Sequence, residues 1–197
     1  MREQPLTPLG LGWPNIVSVL RVLVSPSLAV LLLAQETTAS YVAAAIFVAG
    51  AATDGLDGYL ARRYSASTRT GQWLDPLADK ILVSTPVVIM TALGDFPLWA
   101  AIVLVARELG VSVLRAYLGF RGRSMPASRG AKVKTTLQLL AVTMYILPLG
   151  AGADGVRVGL LLAAVVMTVL TGLAYGVEAA SWLRRERSRS SVKEPPE

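Results

Sequence analysis

Residues 54–80 read DGLDGYLARRYSASTRTGQWLDPLADK. This stretch carries four aspartates, Asp54, Asp57, Asp75 and Asp79, inside sequence that otherwise reads as membrane-spanning. The first two are three residues apart and the last two are four apart, so on helices each pair projects from one face. We expect a turn around residues 65–70 to bring the two pairs into one small volume.

Four carboxylates held together at membrane depth repel one another and are costly unless cations fill the space between them. The chain contains no histidine and no cysteine, so the available ligands are hard oxygen atoms. Mg²⁺ and Mn²⁺ prefer such ligands. The stretch therefore predicts a site for Mg²⁺ or Mn²⁺ that handles phosphate chemistry.

The composition indicates an integral membrane protein. Of 197 residues, 53% are hydrophobic and only 16% are charged, and the mean hydropathy is +0.54. The absence of cysteine and histidine excludes zinc sites, disulfides, thiol nucleophiles and imidazole bases. The net charge is +6, and the basic residues lie mostly in a few loops beside apolar segments. This distribution is typical of loops at a membrane surface and argues against a nucleic-acid partner.

Six apolar segments, each near the ~20 residues that cross a bilayer, predict an all-α integral membrane bundle of six transmembrane helices. A short interfacial segment, residues 1–13, precedes them. The predicted spans are Pro14–Ala34, Tyr41–Arg63, Gly71–Leu93, Pro97–Leu118, Ala131–Leu149 and Val156–Trp182.

Loop charges predict the orientation of this bundle. Arginine and lysine concentrate between the second and third segments, between the fourth and fifth, and after the sixth. The opposite loops carry Glu36, Asp95 and Asp154, with only Arg157 nearby. By the positive-inside rule we expect a multi-pass protein of the plasma membrane whose aspartate site and both termini are cytoplasmic. Residues 1–183 form the membrane domain in this interpretation, and residues 184–197 form a disordered cytoplasmic tail.

The aspartate stretch resembles a known signature. Asp54-x-x-Asp57-Gly58-x-x-Ala61-Arg62, then eight residues to Gly71, then Asp75 and Asp79 at four-residue steps, is similar to the motif of the CDP-alcohol phosphotransferase family. The resemblance implies two metal ions. It implies that Asp54 and Asp75 bridge them, that Asp57 completes one and Asp79 the other, and that Asp79 is also the catalytic base.

Other residues are candidates for binding the donor, CDP-diacylglycerol. Gly58 and Ala61 leave space where a nucleotide can approach the helix, and the planar fork of Arg62 can hold a pyrophosphate oxygen. Thr68 matches a position whose hydroxyl touches the CDP group in relatives, although a plain loop hydroxyl is the alternative. Asn15 falls at a motif-like position near the start.

The stretches WPNIVSVLRVLVSP, ARELGVSVLR and AKVKTTLQ resemble one branch of the family, the phosphatidylglycerophosphate synthases. That resemblance implies transfer of a phosphatidyl group from CDP-diacylglycerol to sn-glycerol 3-phosphate with release of CMP, by direct in-line attack. Arg107, Arg115, Lys132 and Lys134 are the candidates for the acceptor phosphate. An Arg107–Glu108 ion pair and ordinary positive-inside anchoring are the structural alternatives.

Three other functions remain open from the sequence. A cardiolipin synthase of this fold uses phosphatidylglycerol as acceptor, and a phosphatidylinositol phosphate synthase uses an inositol phosphate. From a different class, intramembrane acids also mark cation channels and transporters, but acids on an ion pathway would be spread over several helices. Small residues at Ala43–Ala45 and Gly159 permit the close helix contacts of a homodimer.

Overall fold

The computed structural model describes the backbone of residues 13–64, 71–122 and 129–191, and the side chains of residues 22–53, 80–122 and 130–186. Within these ranges the chain is helical and contains no strand, which confirms the all-α prediction. The elements are α1 (Trp13–Leu33), α2 (Thr37–Tyr64), α3 (Gly71–Leu93), α4 (Leu98–Phe120), α5 (Arg129–Ile146), the 3-10 turn Ala151–Ala153, and α6 (Asp154–Ser191).

The helices end where the local sequence no longer supports a helical backbone. Gly94 follows α3 and Gly122 follows α4, with φ of 84° and 74°. Glycine adopts this left-handed conformation without steric cost and therefore commonly ends helices. Pro148 lies just beyond α5 and cannot continue it. By contrast, α1 continues across Pro26.

The helices pack around one core to which five of them contribute fully buried large side chains. Leu28 of α1, Phe47 of α2, Val87 of α3, Leu104 of α4 and Leu161 of α6 are each at most 2% exposed. Ala141 and Val142 of α5 lie in the same core with no exposed surface. Burial of this apolar surface is the main driving force for helix association wherever water would otherwise reach it.

Neighbouring helices along the chain run in opposite directions, because short connections join helices that contact one another. Two contacts between α4 and α6, Arg107 to Thr171 and Arg121 to Glu186, progress in the same sense along both helices, so these two are parallel. The α2–α3 and α4–α5 connections therefore lie at the same end of the bundle. We call this the aspartate end and the other the opposite end.

Among the described residues, one helical stretch is long and apolar enough to cross a membrane. It is Ala151–Glu186, which contains an 18-residue window with a mean hydropathy of 2.2. Shorter apolar helical stretches are Val22–Leu33, Thr37–Thr53 and Lys80–Leu93. Several large apolar side chains are strongly exposed, including Phe120 at 79% and Val177 at 69%. The number of spans stays a prediction.

The structure corrects the predicted start of the disordered tail. Helix α6 continues to Ser191, whereas the sequence analysis placed residues 184–197 in a disordered segment. The extension, residues 184–191, contains four arginines and one glutamate, which favour helices, and Arg121 just after α4 contacts Glu186 at 3.2 Å. The predicted interfacial segment lies outside the described residues apart from Trp13, which begins α1.

Candidate active site

Helices α2 and α3 approach each other closely at Gly50. A Cβ atom added to Gly50 would lie 2.9 Å from Cδ2 of Leu82, which is tighter than real side chains tolerate. Leu82 is only 2% exposed, so it fills the space left by the missing side chain. This contact sets the register between the two antiparallel helices.

The register places the four aspartate positions at matching levels. Asp54 lies about 6 Å beyond Gly50 along α2, and Asp79 lies about 4.5 Å from Leu82 along α3, in the direction of the aspartate end. Asp57 and Asp75 each lie about 10 Å from the same contact. The backbone therefore carries both pairs on adjacent helices at one end of the bundle. Their side chains lie outside the described part, so the metal site stays a prediction.

Three of the five donor-binding candidates lie near the aspartates on α2, one lies at the start of α1, and one lies outside the described residues. Gly58, Ala61 and Arg62 lie in the last turns of α2, and Asn15 lies in the first turn of α1. Their side-chain contacts are not described. Thr68 lies outside the described residues altogether. All five assignments stay predictions.

A second group of polar residues is fully described, and Glu108 of α4 is at its centre. Lys134 of α5 donates through its ammonium group to Oε1 of Glu108. Arg107 lies 3.4 Å from the same oxygen. Lys134 is only 3% exposed, which makes it a buried cation with a carboxylate partner. The ion pair that the sequence left as an alternative for Arg107 and Glu108 is therefore present, and it includes Lys134.

Helix α6 supplies the remaining contacts of this group. Arg107 donates from Nη2 to Oγ1 of Thr171 at 2.9 Å. Arg115 donates from Nη2 to the hydroxyl of Tyr175 at 2.7 Å, and its guanidinium lies 4.8 Å from the centre of that ring. Arg107 lies 6.0 Å from the same ring centre. We call Arg107, Glu108, Arg115 and Lys134 the basic cluster.

The fourth predicted acceptor residue, Lys132, is not part of these contacts. It is exposed on α5, two residues from buried Lys134 and therefore about 200° away around the helix. Ser112, one turn beyond Glu108 on α4, donates to the backbone carbonyl of Glu108 at 2.6 Å. The structure thus brings together Arg107, Arg115 and Lys134.

The basic cluster has a net positive charge. Among the described side chains that these contacts join, three basic groups surround one carboxylate, and the two arginines alone outnumber it. Glu108 offsets part of the cost of burying Lys134. Arg115 remains exposed although it contacts Tyr175. Such an arrangement attracts an anion of two charges more strongly than a neutral molecule.

The basic cluster and the aspartate positions lie at the same end of the bundle. Lys134 is five residues from the start of α5, and Asp75 is four residues from the start of α3. Both are therefore within about 8 Å of helix ends that face the same way. Helix α5 contacts both α2 and α3.

Sequence reasoning did not identify the residues of α6 that hold the basic cluster. Thr171 and Tyr175, which contact the cluster, recur with Thr168 at spacings of three and four in an apolar helix. They are at most 7% exposed. A polar stripe with this helical spacing faces a neighbouring helix. From this polar stripe, the sequence could have predicted that α6 contacts the basic cluster.

The opposite end holds a polar cavity of about 350 Å³. Glu36, Asp95 and Arg157 line it, together with Tyr145 and several backbone groups. Arg157 contacts Asp154 at 3.3 Å and donates to the backbone carbonyl of Met144. The acidic loops and their single arginine, noted in the sequence, therefore meet in space.

Comparison with known proteins now identifies the family. The family model described as CDP-alcohol phosphatidyltransferase matches residues 11–170. The chain belongs to the CDP-alcohol phosphatidyltransferase family. The resemblance noted for the aspartate motif is thereby confirmed, and the matched range includes all four aspartates and the whole basic cluster of this CDP-alcohol phosphatidyltransferase.

Several curated relatives carry a more specific name. A protein of Mycobacterium tuberculosis (strain H37Rv), named probable phosphatidylglycerophosphate synthase, is 39% identical over 171 residues, covering 84% of this chain and 80% of the relative. Proteins named CDP-diacylglycerol–glycerol-3-phosphate 3-phosphatidyltransferase are similar as well. That of Rickettsia typhi is 35% identical, covering 82% of this chain and 93% of the relative. That of Shigella flexneri serotype 5b is 34% identical, with coverages of 82% and 91%.

Proposed function

We propose that this CDP-alcohol phosphatidyltransferase transfers the phosphatidyl group of CDP-diacylglycerol to sn-glycerol 3-phosphate, giving phosphatidylglycerophosphate and CMP. Family membership and the names of the relatives support the reaction class. The observation that carries the choice of acceptor is the net positive basic cluster at the aspartate end. A phosphate-bearing acceptor has the charge that such a cluster attracts.

The four aspartates fit a pair of divalent ions by the chemistry of the donor set. Carboxylate oxygens are the ligands that Mg²⁺ and Mn²⁺ take in proteins, and the register at Gly50 carries the four positions on adjacent helices at matching levels. We propose that Asp54, Asp57, Asp75 and Asp79 hold two ions. When bound, such ions polarise a diphosphate and offset the charge that develops on the leaving phosphate.

The residues of the chain supply positioning and a proton acceptor. The Asp79 carboxylate takes the proton from the primary hydroxyl of glycerol 3-phosphate. The hydroxyl oxygen forms a bond to the β-phosphorus of the donor as the bond from that phosphorus to the CMP oxygen breaks. CMP leaves with the electron pair. No covalent intermediate with the protein is needed, and isolation of a phosphatidyl-protein adduct would overturn this scheme.

Donor and acceptor occupy different parts of the site in this proposal. Gly58 and Ala61 leave room for the cytidine nucleotide beside α2, Arg62 holds a diphosphate oxygen, and Thr68 and Asn15 complete the donor contacts. Arg107, Arg115 and Lys134 receive the acceptor phosphate. Lys132, exposed on the side of α5 away from Lys134, attracts the anion at longer range.

An acceptor comparison tests the proposal most directly. The purified protein, given CDP-diacylglycerol and Mg²⁺, is supplied separately with glycerol 3-phosphate, phosphatidylglycerol and an inositol phosphate, and CMP release is measured. We expect glycerol 3-phosphate to give the highest kcat/KM. Higher turnover with phosphatidylglycerol would indicate a cardiolipin synthase, and higher turnover with the inositol phosphate would indicate a phosphatidylinositol phosphate synthase.

We further propose that the six helices cross the plasma membrane, with the aspartate end cytoplasmic. The exposed apolar side chains on α4 and α6 suit contact with lipid. Because the chain contains no cysteine, single cysteines can report the orientation. We expect an impermeant maleimide added to intact spheroplasts to label Asp95→Cys at the opposite end and to spare Arg185→Cys. The reverse pattern would invert the orientation.

We also propose a homodimer, but fewer of the small residues are available for its interface than the sequence indicated. Ala43 and Ala44 are buried in the core of the chain itself. Ala45 and Gly159 are exposed and available to a second copy. Cross-linking between copies that carry Gly159→Cys tests this contact.

A further inference from the structure

Tyr175 contacts the basic cluster from α6 in two different ways. Its hydroxyl accepts a hydrogen bond from Arg115, and its ring lies beneath the guanidinium of the same arginine. The ring also lies 6.0 Å from the guanidinium carbon of Arg107. Tyr175 is only 4% exposed, whereas Arg115 is exposed. One buried aromatic side chain is thus placed against two arginines.

An exposed arginine held in this way loses little conformational entropy when it binds an anion. A free arginine side chain has many rotamers, and it loses that freedom when it binds a ligand. Hydrogen bonding to the hydroxyl and stacking on the ring fix the guanidinium before a ligand arrives. The planar fork keeps several further N–H donors, which suit two oxygens of one phosphate.

We propose that Tyr175 is a positioning residue that orients Arg115, and with it Arg107, toward the phosphate of the acceptor. This inference rests on the proposed function, because it assumes that the basic cluster binds that phosphate. Tyr175 itself touches neither the reacting atoms nor the donor in this scheme. It determines how strongly the enzyme prefers an acceptor that carries a phosphate.

Two variants of Tyr175 separate its ring from its hydroxyl. Tyr175→Phe keeps the ring and removes the hydrogen bond, and we expect the KM for glycerol 3-phosphate to rise about threefold. Tyr175→Leu removes both contacts, and we expect a rise of about tenfold. The kcat at saturating acceptor and the KM for CDP-diacylglycerol should stay within about twofold of wild type, because positioning acts on acceptor binding. The inhibition constant of inorganic phosphate against glycerol 3-phosphate should rise in parallel.

Tyr117 offers a matched control on α4. Its ring lies 5.0 Å from the guanidinium of Arg121, so it forms a similar stack, but it is 43% exposed and lies outside the basic cluster. We expect Tyr117→Leu to leave both KM values unchanged. In an Arg115→Ala background, Tyr175→Phe should lose most of its effect, since its partner is absent.

The outcomes distinguish this inference from the proposed function. If Arg115→Ala raises the KM for glycerol 3-phosphate but neither Tyr175 variant does, the positioning role is wrong and the acceptor site stands. If the Tyr175 variants lower kcat and raise both KM values together, Tyr175 has a general structural role and the inference is overturned. If Arg115→Ala leaves acceptor KM unchanged, both the acceptor site and the positioning role are wrong.

Discussion

The aspartate positions of α2 and α3 and the basic cluster of α4 and α5 lie at the same end of the bundle but are built differently. The aspartates fall in one continuous stretch, on two helices joined by six residues. The members of the basic cluster lie up to 27 residues apart in the sequence, from position 107 to position 134. Two of them form hydrogen bonds with Thr171 and Tyr175 of a third helix.

The difference concerns how each region balances its charge. In the basic cluster, Glu108 contacts both Arg107 and Lys134 within the chain. For the aspartate positions, we propose that divalent ions from solution balance the charge. The aspartate positions should therefore respond to chelators, whereas the basic cluster should respond to loss of its internal partners.

The largest effect is expected at the aspartates. Asp54→Asn and Asp75→Asn should each lower kcat/KM about 10³-fold or more, because a metal ion supplies several kcal/mol of transition-state stabilisation. Chelation with EDTA should abolish CMP release, and Mg²⁺ or Mn²⁺ should restore it. Asp95→Asn, an acid at the opposite end, is the matched control and should retain full activity. Unchanged turnover after thorough chelation would disprove the metal site.

Asp79→Asn should have the next largest effect. The amide cannot accept the proton of the acceptor hydroxyl, so kcat should fall about 10²- to 10⁴-fold, as measured by CMP release at saturating substrates. Binding of CDP-diacylglycerol, followed separately by calorimetry, should weaken far less. Residual turnover near wild type would remove Asp79 from the role of base.

Glu108→Gln tests the internal balance of the basic cluster. Lys134, only 3% exposed, would lose its carboxylate, and breaking a buried ion pair costs about 3–5 kcal/mol. We expect a large drop in the free energy of unfolding, measured with denaturant in detergent. Glu186→Gln breaks the exposed pair with Arg121, whose side chains are 41% and 47% exposed, and should cost less than about 1 kcal/mol. Equal losses of unfolding free energy in the two variants would show that the ion pair of Glu108 stabilises the fold no more than an exposed pair does.

A smaller effect is expected from the helix contact that sets the aspartate register. Gly50→Ala places a Cβ atom against the end of the Leu82 side chain, so the helices separate slightly or Leu82 rotates. The Mg²⁺ concentration for half-maximal activity should rise about threefold, and Leu82→Ala in the same chain should restore it. Gly110→Ala, with open space around the added atom, is the control. An unchanged Mg²⁺ requirement in Gly50→Ala would mean that this contact does not govern the site.

The smallest effect is expected at Gly172. An added Cβ atom would lie 3.2 Å from Cγ of Arg107, so the stem of that side chain must move by a few tenths of an ångström. Gly172→Ala should raise the KM for glycerol 3-phosphate about twofold without changing the Mg²⁺ requirement. Gly176→Ala, one turn further along α6 with nothing described within 4 Å, should change neither. A change in Mg²⁺ requirement at Gly172 would show that the two regions are coupled.

Much of the fold could be predicted because apolar segment length is a local property of the sequence. The bounds of α3 agree with the prediction, and those of α1 differ by one residue at each end. The end of α6 was harder to predict, since polar composition suits a solvated helix as well as a disordered tail. By sequence, Lys132 and Lys134 were equivalent candidates for binding the acceptor phosphate. The structure shows that they lie on different faces of α5 and that Lys134 is the one that contacts Glu108.

The helical character of the chain, the aspartate motif and the family follow from the sequence alone, because spacing along a helix and residue chemistry are both encoded locally. The three-dimensional packing was needed to show that Lys134 pairs with Glu108, that Lys132 is exposed, and that Tyr175 lies against two arginines. These contacts join residues from three helices, and their partners depend on helix rotation and packing, which no local pattern specifies.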